Sequence, residues 1–352
     1  MNIFRCALCA IVAIAVVCSC DEWTMPESKK LEFPMVQEHN PRLWEAYLRS
    51  LRNYRQSDHK IVLAGFDNKT GVPCGRGEML SALPDSVDFA VLSEPDGLSE
   101  DIQKDMVSLR EEKSIGTLYT VNYENILASY EAYSKKWDDG HQTTEAGDDS
   151  TEGTSSDDGQ KASRSDFFAG ALADSLAIHD KYGYDGIIIS FIGASTIKLT
   201  DEEKAAEKAL QDEFFTPVKE WLSTHQDAVV MFSGRPQNLL SEDFLDLCRY
   251  IIIPAETAGS ADKMSFLARS AMGDGIPSDR FIICVSAPYG KLGMSSTGLS
   301  AIEEAAGWVL NEDATYSRKG IMVIHSQKDY HSSMTYGNIR RAISIMNPSP
   351  KF

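Results

Sequence analysis

Cysteine is scarce in this 352-residue chain: after Cys20 only Cys74, Cys248 and Cys284 remain, widely spaced and with no CxxC or Cys/His grouping. That excludes a zinc ribbon and supplies no disulfide framework. Each of the three lies in or near an apolar segment, so each is expected as a buried small hydrophobe. Basic clusters are missing too, since no run of Lys or Arg exceeds two residues and the formal charge is −18. Phosphate binding needs a dense basic face, so nucleic acid is not expected as a partner, whereas a neutral ligand such as a sugar is not repelled. There is no P-loop, no HExxH and no G-x-S-x-G around Ser233-Gly234. The first apolar run ends in Phe66-Asp67-Asn68-Lys69-Thr70-Gly71, which lacks the Gly-rich phosphate turn of a dinucleotide fold. No cofactor and no metal are expected, because His325 has no second histidine at helical or strand spacing.

Long apolar stretches are also few, and one of them is N-terminal, from Cys6 to Cys18 behind a single base, Arg5. It is too short and wrongly flanked to span a membrane, so residues 1–19 read as an export signal. The run Val17-Cys18-Ser19-Cys20 resembles a bacterial lipobox, in which Cys20 is lipidated and becomes the new N-terminus. The acidic Asp21 and Glu22 that follow resemble the outward-export signal of Bacteroidetes surface lipoproteins. The expected location is therefore the outer membrane, lipid-anchored and facing outward; a cleaved signal with incidental cysteines is the alternative. Pro26, Pro34 and Pro41 suit residues 20–45 to a tether.

Eight short apolar runs follow, at 60–66, 87–93, 115–121, 186–191, 228–233, 250–254, 280–286 and 320–325. They are continuous and β-branched rather than alternating, which is the pattern of parallel strands covered on both faces. Segments of helical period separate them; Thr200-x-x-Glu203 reads as a capping box and Ser241 as a cap before Phe244. Eight strand–helix repeats predict an α/β fold, a single-domain TIM (β/α)8 barrel over 46–347. One stretch, 137–160, holds eight acids among Ser, Thr and Gly with no Lys or Arg. It has too little apolar surface to order itself, so 137–164 is expected to be a disordered acidic insertion.

The fourth run and its approach, Tyr182-Gly183-Tyr184-Asp185-Gly186-Ile187-Ile188-Ile189-Ser190-Phe191-Ile192, resembles the fourth-strand signature of glycoside hydrolase family 18. These are the chitinases and endo-β-N-acetylglucosaminidases, whose pattern is Asp-Gly-x-Asp-x-Asp-x-Glu. Asp185 and Gly186 match its opening, but Ile188 and Ser190 stand where the family has aspartates and Ile192 where it has glutamate. No Asp or Glu lies between Gly186 and Lys198. In the family's substrate-assisted mechanism the glutamate protonates the leaving oxygen while an aspartate orients the sugar's acetamido group. An isoleucine can do neither, and loss of a positioned general acid costs about 10²–10⁴ in rate. The resemblance extends to lipid-anchored single-barrel proteins of gut Bacteroidetes, which implies N-acetylglucosamine-containing ligands, N-glycan or chitin-type, and a neighbouring outer-membrane uptake system.

Barrel enzymes place their chemistry at the C-terminal ends of strands. There the sequence offers Asp67, Glu256 and Asp329 as acids, each readable as a relocated catalyst, as a partner for sugar hydroxyls or as neither. Tyr119, Asn122, Tyr123, Ser190, Arg235, Tyr289, His325 and Tyr330 supply stacking rings and polar groups of the kind a sugar cleft needs. Tyr119 reads equally well as barrel filling, Arg235 as a partner of Asp243 or Glu242, and His325 as bonded to a backbone carbonyl. Three functions follow: a non-catalytic glycan-binding lipoprotein, an endo-glycosidase whose acid has moved, or a protein-interaction barrel.

Overall fold

The computed structural model describes residues 39–69, 71, 73–141, 160–241, 243–289 and 292–348. The chain divides into two compact units, 1–47 and 48–352. Of the first, only 39–47 are described, and they contain the opening turns of helix α1 (Pro41–Gln56). The export signal, Cys20 and most of the tether lie outside the described residues.

The second unit is built from eight parallel strands: β1 (Ile61–Phe66), β2 (Phe89–Leu92), β3 (Gly116–Asn122), β4 (Gly186–Phe191), β5 (Val229–Gly234), β6 (Tyr250–Pro254), β7 (Phe281–Ser286) and β8 (Arg318–Ile324). Each pairs with the next and β8 returns to β1, closing the barrel. All eight sequence runs are strands, and the TIM architecture is the observed one. The helices that follow α1 are α2 (Glu100–Ser108), α3 (Tyr123–His141), α4 (Arg164–Tyr182), α5 (Asp201–Thr224), α6 (Asp243–Asp246), α7 (Ala261–Ser270), α8 (Ala301–Leu310) and α9 (Gly337–Met346). Among the described residues no helix is long and apolar enough to cross a membrane.

Alternation along the strands divides the core into two layers. Leu63, Val91, Leu118, Ile188, Met231 and Ile252 fill the barrel interior. Their neighbours Val62, Ile187, Ile189, Phe232 and Ile253 pack outward with the helices. Burial on both faces is why the strands read as unbroken apolar runs. Close strand approach also dictates a glycine at the start of β4. A Cβ on Gly186 would lie 1.9 Å from the Val229 carbonyl oxygen, so no side chain fits.

Carboxylates latch the N-terminal end of the barrel. Asp185 accepts from the Thr117 amide (2.7 Å), the Thr117 hydroxyl (3.0 Å) and the Arg110 Nε (2.6 Å). The aspartate that opens the family motif thus joins β3 to β4 at the end opposite the strand exits. Asp88 does the same for β1, accepting from the Val62 amide at 2.8 Å and from Arg55 at 3.2 Å.

Local expectations fare unevenly. The Thr200–Glu203 capping box is present in full. Ser241 instead gives its hydroxyl to Asp212, because α5 passes within reach. Cys248 and Cys284 are buried, but Cys74 is exposed, since it sits on the β1–β2 connection rather than in a strand. Helix α3 runs through 137–141 and Ser163 caps α4, so helix occupies both ends of the expected insertion; 142–159 lie outside the described residues.

Candidate functional site

The C-terminal ends of the strands form a mouth whose floor is the apolar layer containing Ile188 and Met231. One layer above, the register brings Asn122, Ser190 and Ser233 side by side on β3, β4 and β5. Asn122 Nδ2 donates to Ser190 Oγ at 3.2 Å, giving a neutral polar shelf. Ile188 is buried in the barrel core, so of the three motif positions without their charge, only Ser190 and Ile192 reach the mouth.

Ile192, at the position of the family's glutamate, is 43% exposed, and its backbone is clamped from two sides. Glu124 Oε1 accepts from the amides of Ile192 (2.7 Å) and Gly193 (3.0 Å). Asn238 Nδ2 donates to the carbonyls of the same two residues, at 2.8 and 3.3 Å. Neither Glu124 nor Asn238 was suggested by the sequence, because each contact joins separate βα loops and leaves no local pattern. Thr120 was also missed; it shares the inward parity of Leu118 and is exposed.

Across the mouth, Asp67 and His325 form a pair, His325 Nδ1 to Asp67 Oδ2 at 2.8 Å. His325 therefore answers to a carboxylate rather than to a backbone carbonyl. It also holds a left-handed backbone with φ 56°, a cost for a residue with a Cβ that the surrounding loop must offset. The Tyr289 ring rests 4.7 Å from the imidazole, 49% exposed, with Lys328 Nζ 5.0 Å from its centre. Glu256 is half-buried; burial first, and then the neighbouring Glu256 carboxylate, push the Cys284 thiol well above its ordinary range. Arg235 is exposed and no ion pair to it is formed among the described residues. Its expected partner Asp243 binds Lys219 instead, at 2.6 Å, and Glu242 lies outside the described residues.

Four candidates leave the site. Tyr119 is 1% exposed and faces the helices, its hydroxyl donating to the Ser175 carbonyl at 2.7 Å. Tyr123 opens α3 and is enclosed by Phe168, Phe191 and Phe214. Both lie one residue out of phase with the inward positions Leu118 and Asn122, so their rings point away from the lumen. Asp329 is fully buried and binds the start of α9, accepting from the Ile339 amide at 2.9 Å and from Asn338 Nδ2 at 2.6 Å. Tyr330 packs 5.5 Å from Tyr336 and against Gly77. Among the described candidates Tyr289 is the exposed ring, and Ile197, Met294 and Met334 are exposed on the loops after β4, β7 and β8.

Several buried oxygens that follow the strand exits have no hydrogen-bond partner among the described residues: Glu124 Oε2, Gln237 Oε1, Ser326 Oγ and Gln327 Oε1. Buried polar atoms are normally satisfied, so ordered water is the expected partner of these.

The sequence pattern of glycoside hydrolase family 18, BT1044-like, matches residues 24–345. The chain belongs to this family. Among solved structures, this family 18 barrel is similar to BT1044, there as a selenomethionine form with a glutamate-to-glutamine substitution. The identity is 19%, with 89% of this chain and 95% of that one covered and a TM-score of 0.63. It is also similar to an endo-β-N-acetylglucosaminidase from Cordyceps militaris at 15% identity, with 86% and 96% covered and a TM-score of 0.55. A doubly substituted form of the Cordyceps enzyme, in complex with fucosyl-N-acetylglucosamine-Asn, overlaps with a TM-score of 0.53, at 14% identity over 86% and 96% of the two chains. No curated protein matches the sequence.

Proposed function

We propose that this family 18 barrel is a non-catalytic carbohydrate-binding lipoprotein that captures N-acetylglucosamine-containing oligosaccharides. The observation that carries the reading is the end of β4, where Ile188, Ser190 and Ile192 replace the last three charged positions of the family motif and only the opening Asp185 is kept. The motif's proton donor and acetamido partner are both replaced, and Glu124 and Asn238 hold the Ile192 backbone from two sides. What remains is suited to a neutral, hydroxyl-rich ligand. The Asn122–Ser190 shelf, Arg235, Glu256 and the Asp67–His325 pair supply hydrogen bonds, and Tyr289 supplies one stacking face. The Cordyceps complex holds a fucosylated N-acetylglucosamine on asparagine, which supports the same sugar class. Lipidation at Cys20, an outer-membrane surface location and delivery to an uptake system complete the proposal on sequence grounds.

Asp67 and Glu256 favour a second reading, an endo-β-N-acetylglucosaminidase with a relocated acid. They leave strands separated by β7 and β8, and Asp67 is already engaged by His325. The test is calorimetry of the chain from residue 21 against N-glycan and chitin-type oligosaccharides, with product analysis of the same mixtures. Binding with no cleavage is expected. Cleavage abolished in Glu256→Gln or Asp67→Asn would overturn the non-catalytic reading.

A further inference from the structure

At the end of the barrel opposite the mouth, two long helices finish side by side. His179 and Asp180 occupy the last turn of α4, and His225 caps the C-terminus of α5. A ring nitrogen from each histidine and a carboxylate oxygen lie within 4.8 Å of one another.

Hydrogen bonding fixes the tautomer of His225. Thr224 donates its one hydroxyl proton to the Trp221 carbonyl, at 2.8 Å. The two oxygens facing His225 Nδ1, the Trp221 carbonyl and Thr224 Oγ1, each at 2.9 Å, are therefore both acceptors, and Nδ1 carries hydrogen. With hydrogen on Nδ1 alone, His225 aims the lone pair of Nε2 at Asp180 Oδ2, 3.3 Å away. Two lone pairs facing each other repel unless a cation or a second proton lies between them. A histidine whose far nitrogen is anchored to a backbone carbonyl is also the usual supporting arrangement of a metal ligand. Trp221 stacks on the His225 ring at 4.2 Å and 14° and meets the His179 ring edge-on at 5.0 Å, so both ring planes are set. His179 Nδ1 lies 2.8 Å from Asp180 Oδ1. The helix ends add negative partial charge at the same point.

We infer that His179, Asp180 and His225 form a binding site for a divalent transition-metal cation of the Zn²⁺ class, clipping the C-termini of α4 and α5 together. Imidazole and carboxylate ligands in this number suit Zn²⁺, with ligand distances of about 2.0–2.2 Å and water in the fourth position. Asp180, with 66% of its side chain exposed, gives the cluster a solvent-facing side for that water. Mg²⁺ prefers an all-oxygen octahedron and is not expected to bind.

The chelator-stripped full chain in detergent, titrated with Co²⁺, is expected to develop weak visible bands at one equivalent. The strong thiolate charge transfer of a cysteine site should be absent. Zn²⁺ should displace Co²⁺ and raise the thermal midpoint, whereas Mg²⁺ should do neither. His225→Gln and Asp180→Asn should each weaken Zn²⁺ binding by about 10-fold or more, with His331→Gln unchanged. If His225→Gln fails to fold, the exposed Asp180→Asn carries the test. Absence of the nitrogen–oxygen type of band, or a band indifferent to these variants, overturns the inference.

Discussion

Replacing Asp329 separates a structural acid from a catalytic one. Helix α9 begins behind Tyr336, a left-handed residue whose side chain makes no capping bond. Its first amides are served instead by Asp329, which accepts from Asn338 N at 3.3 Å, Asn338 Nδ2 at 2.6 Å and Ile339 N at 2.9 Å. Asp329→Ala leaves these donors buried, at about 1–3 kcal/mol for each left without a partner. It also removes a negative charge from a helix N-terminus, worth about 0.3–1 kcal/mol. Allowing for partial relaxation and entry of water, a loss of about 3–5 kcal/mol is expected. With an unfolding entropy of about 2.1 cal/mol/K per residue over about 300 residues, the thermal midpoint falls by about 5–8 °C. Asp329→Asn keeps one acceptor and should lose about half as much. Differential scanning calorimetry reads the stability, and calorimetric titration below the midpoint reads glycan affinity, which should be unchanged. A variant as stable as the parent but altered in glycan binding or cleavage would refute the capping role.

Tyr289→Ala and Arg235→Ala should each weaken oligosaccharide affinity by about 3- to 10-fold, as expected from a lost stacking face or charged hydrogen bond, without moving the thermal midpoint; unchanged affinity in both would remove the mouth as the binding site. His59 has acceptors on both ring nitrogens, Ser57 O and Asp88 Oδ1, each at 2.8 Å. Burial opposes its charge, but the Asp88 bond and charge outweigh it and hold the pKa above the ordinary histidine value. Its stabilisation is therefore fully present below about pH 6.5, the unfolded value, and is lost as pH rises through the folded one. The stability gap between parent and His59→Gln, from urea unfolding at pH 6 and pH 9, should be larger at pH 6; an equal gap contradicts this. Gly186→Ala, with its Cβ against the Val229 carbonyl, should cost about 3 kcal/mol or more, whereas Gly307→Ala on the exposed face of α8 should gain up to about 1 kcal/mol. Thermal midpoints moving the same way in both would show that strand approach is not limiting.

The fold was legible because burial of both strand faces imposes a signal that sequence carries directly: eight unbroken β-branched runs, each now a strand. The loss of charge after Gly186 was equally legible, since no acid occurs before Lys198 and a shift of register supplies none. The ring and acid inventory of the mouth was not. Tyr119 and Leu118 are neighbours of similar apolarity, and only the closed barrel assigns one to the helices and the other to the lumen. Asp329 follows a strand just as Asp67 does, yet one caps a helix and the other meets His325. The Glu124–Asn238 clamp and the His179–Asp180–His225 cluster join residues far apart in the chain, whose proximity exists only once the helices dock. Periodicity and composition are local properties and fixed the strands; the direction and partners of each polar side chain depend on barrel closure, and the tertiary structure alone decided them.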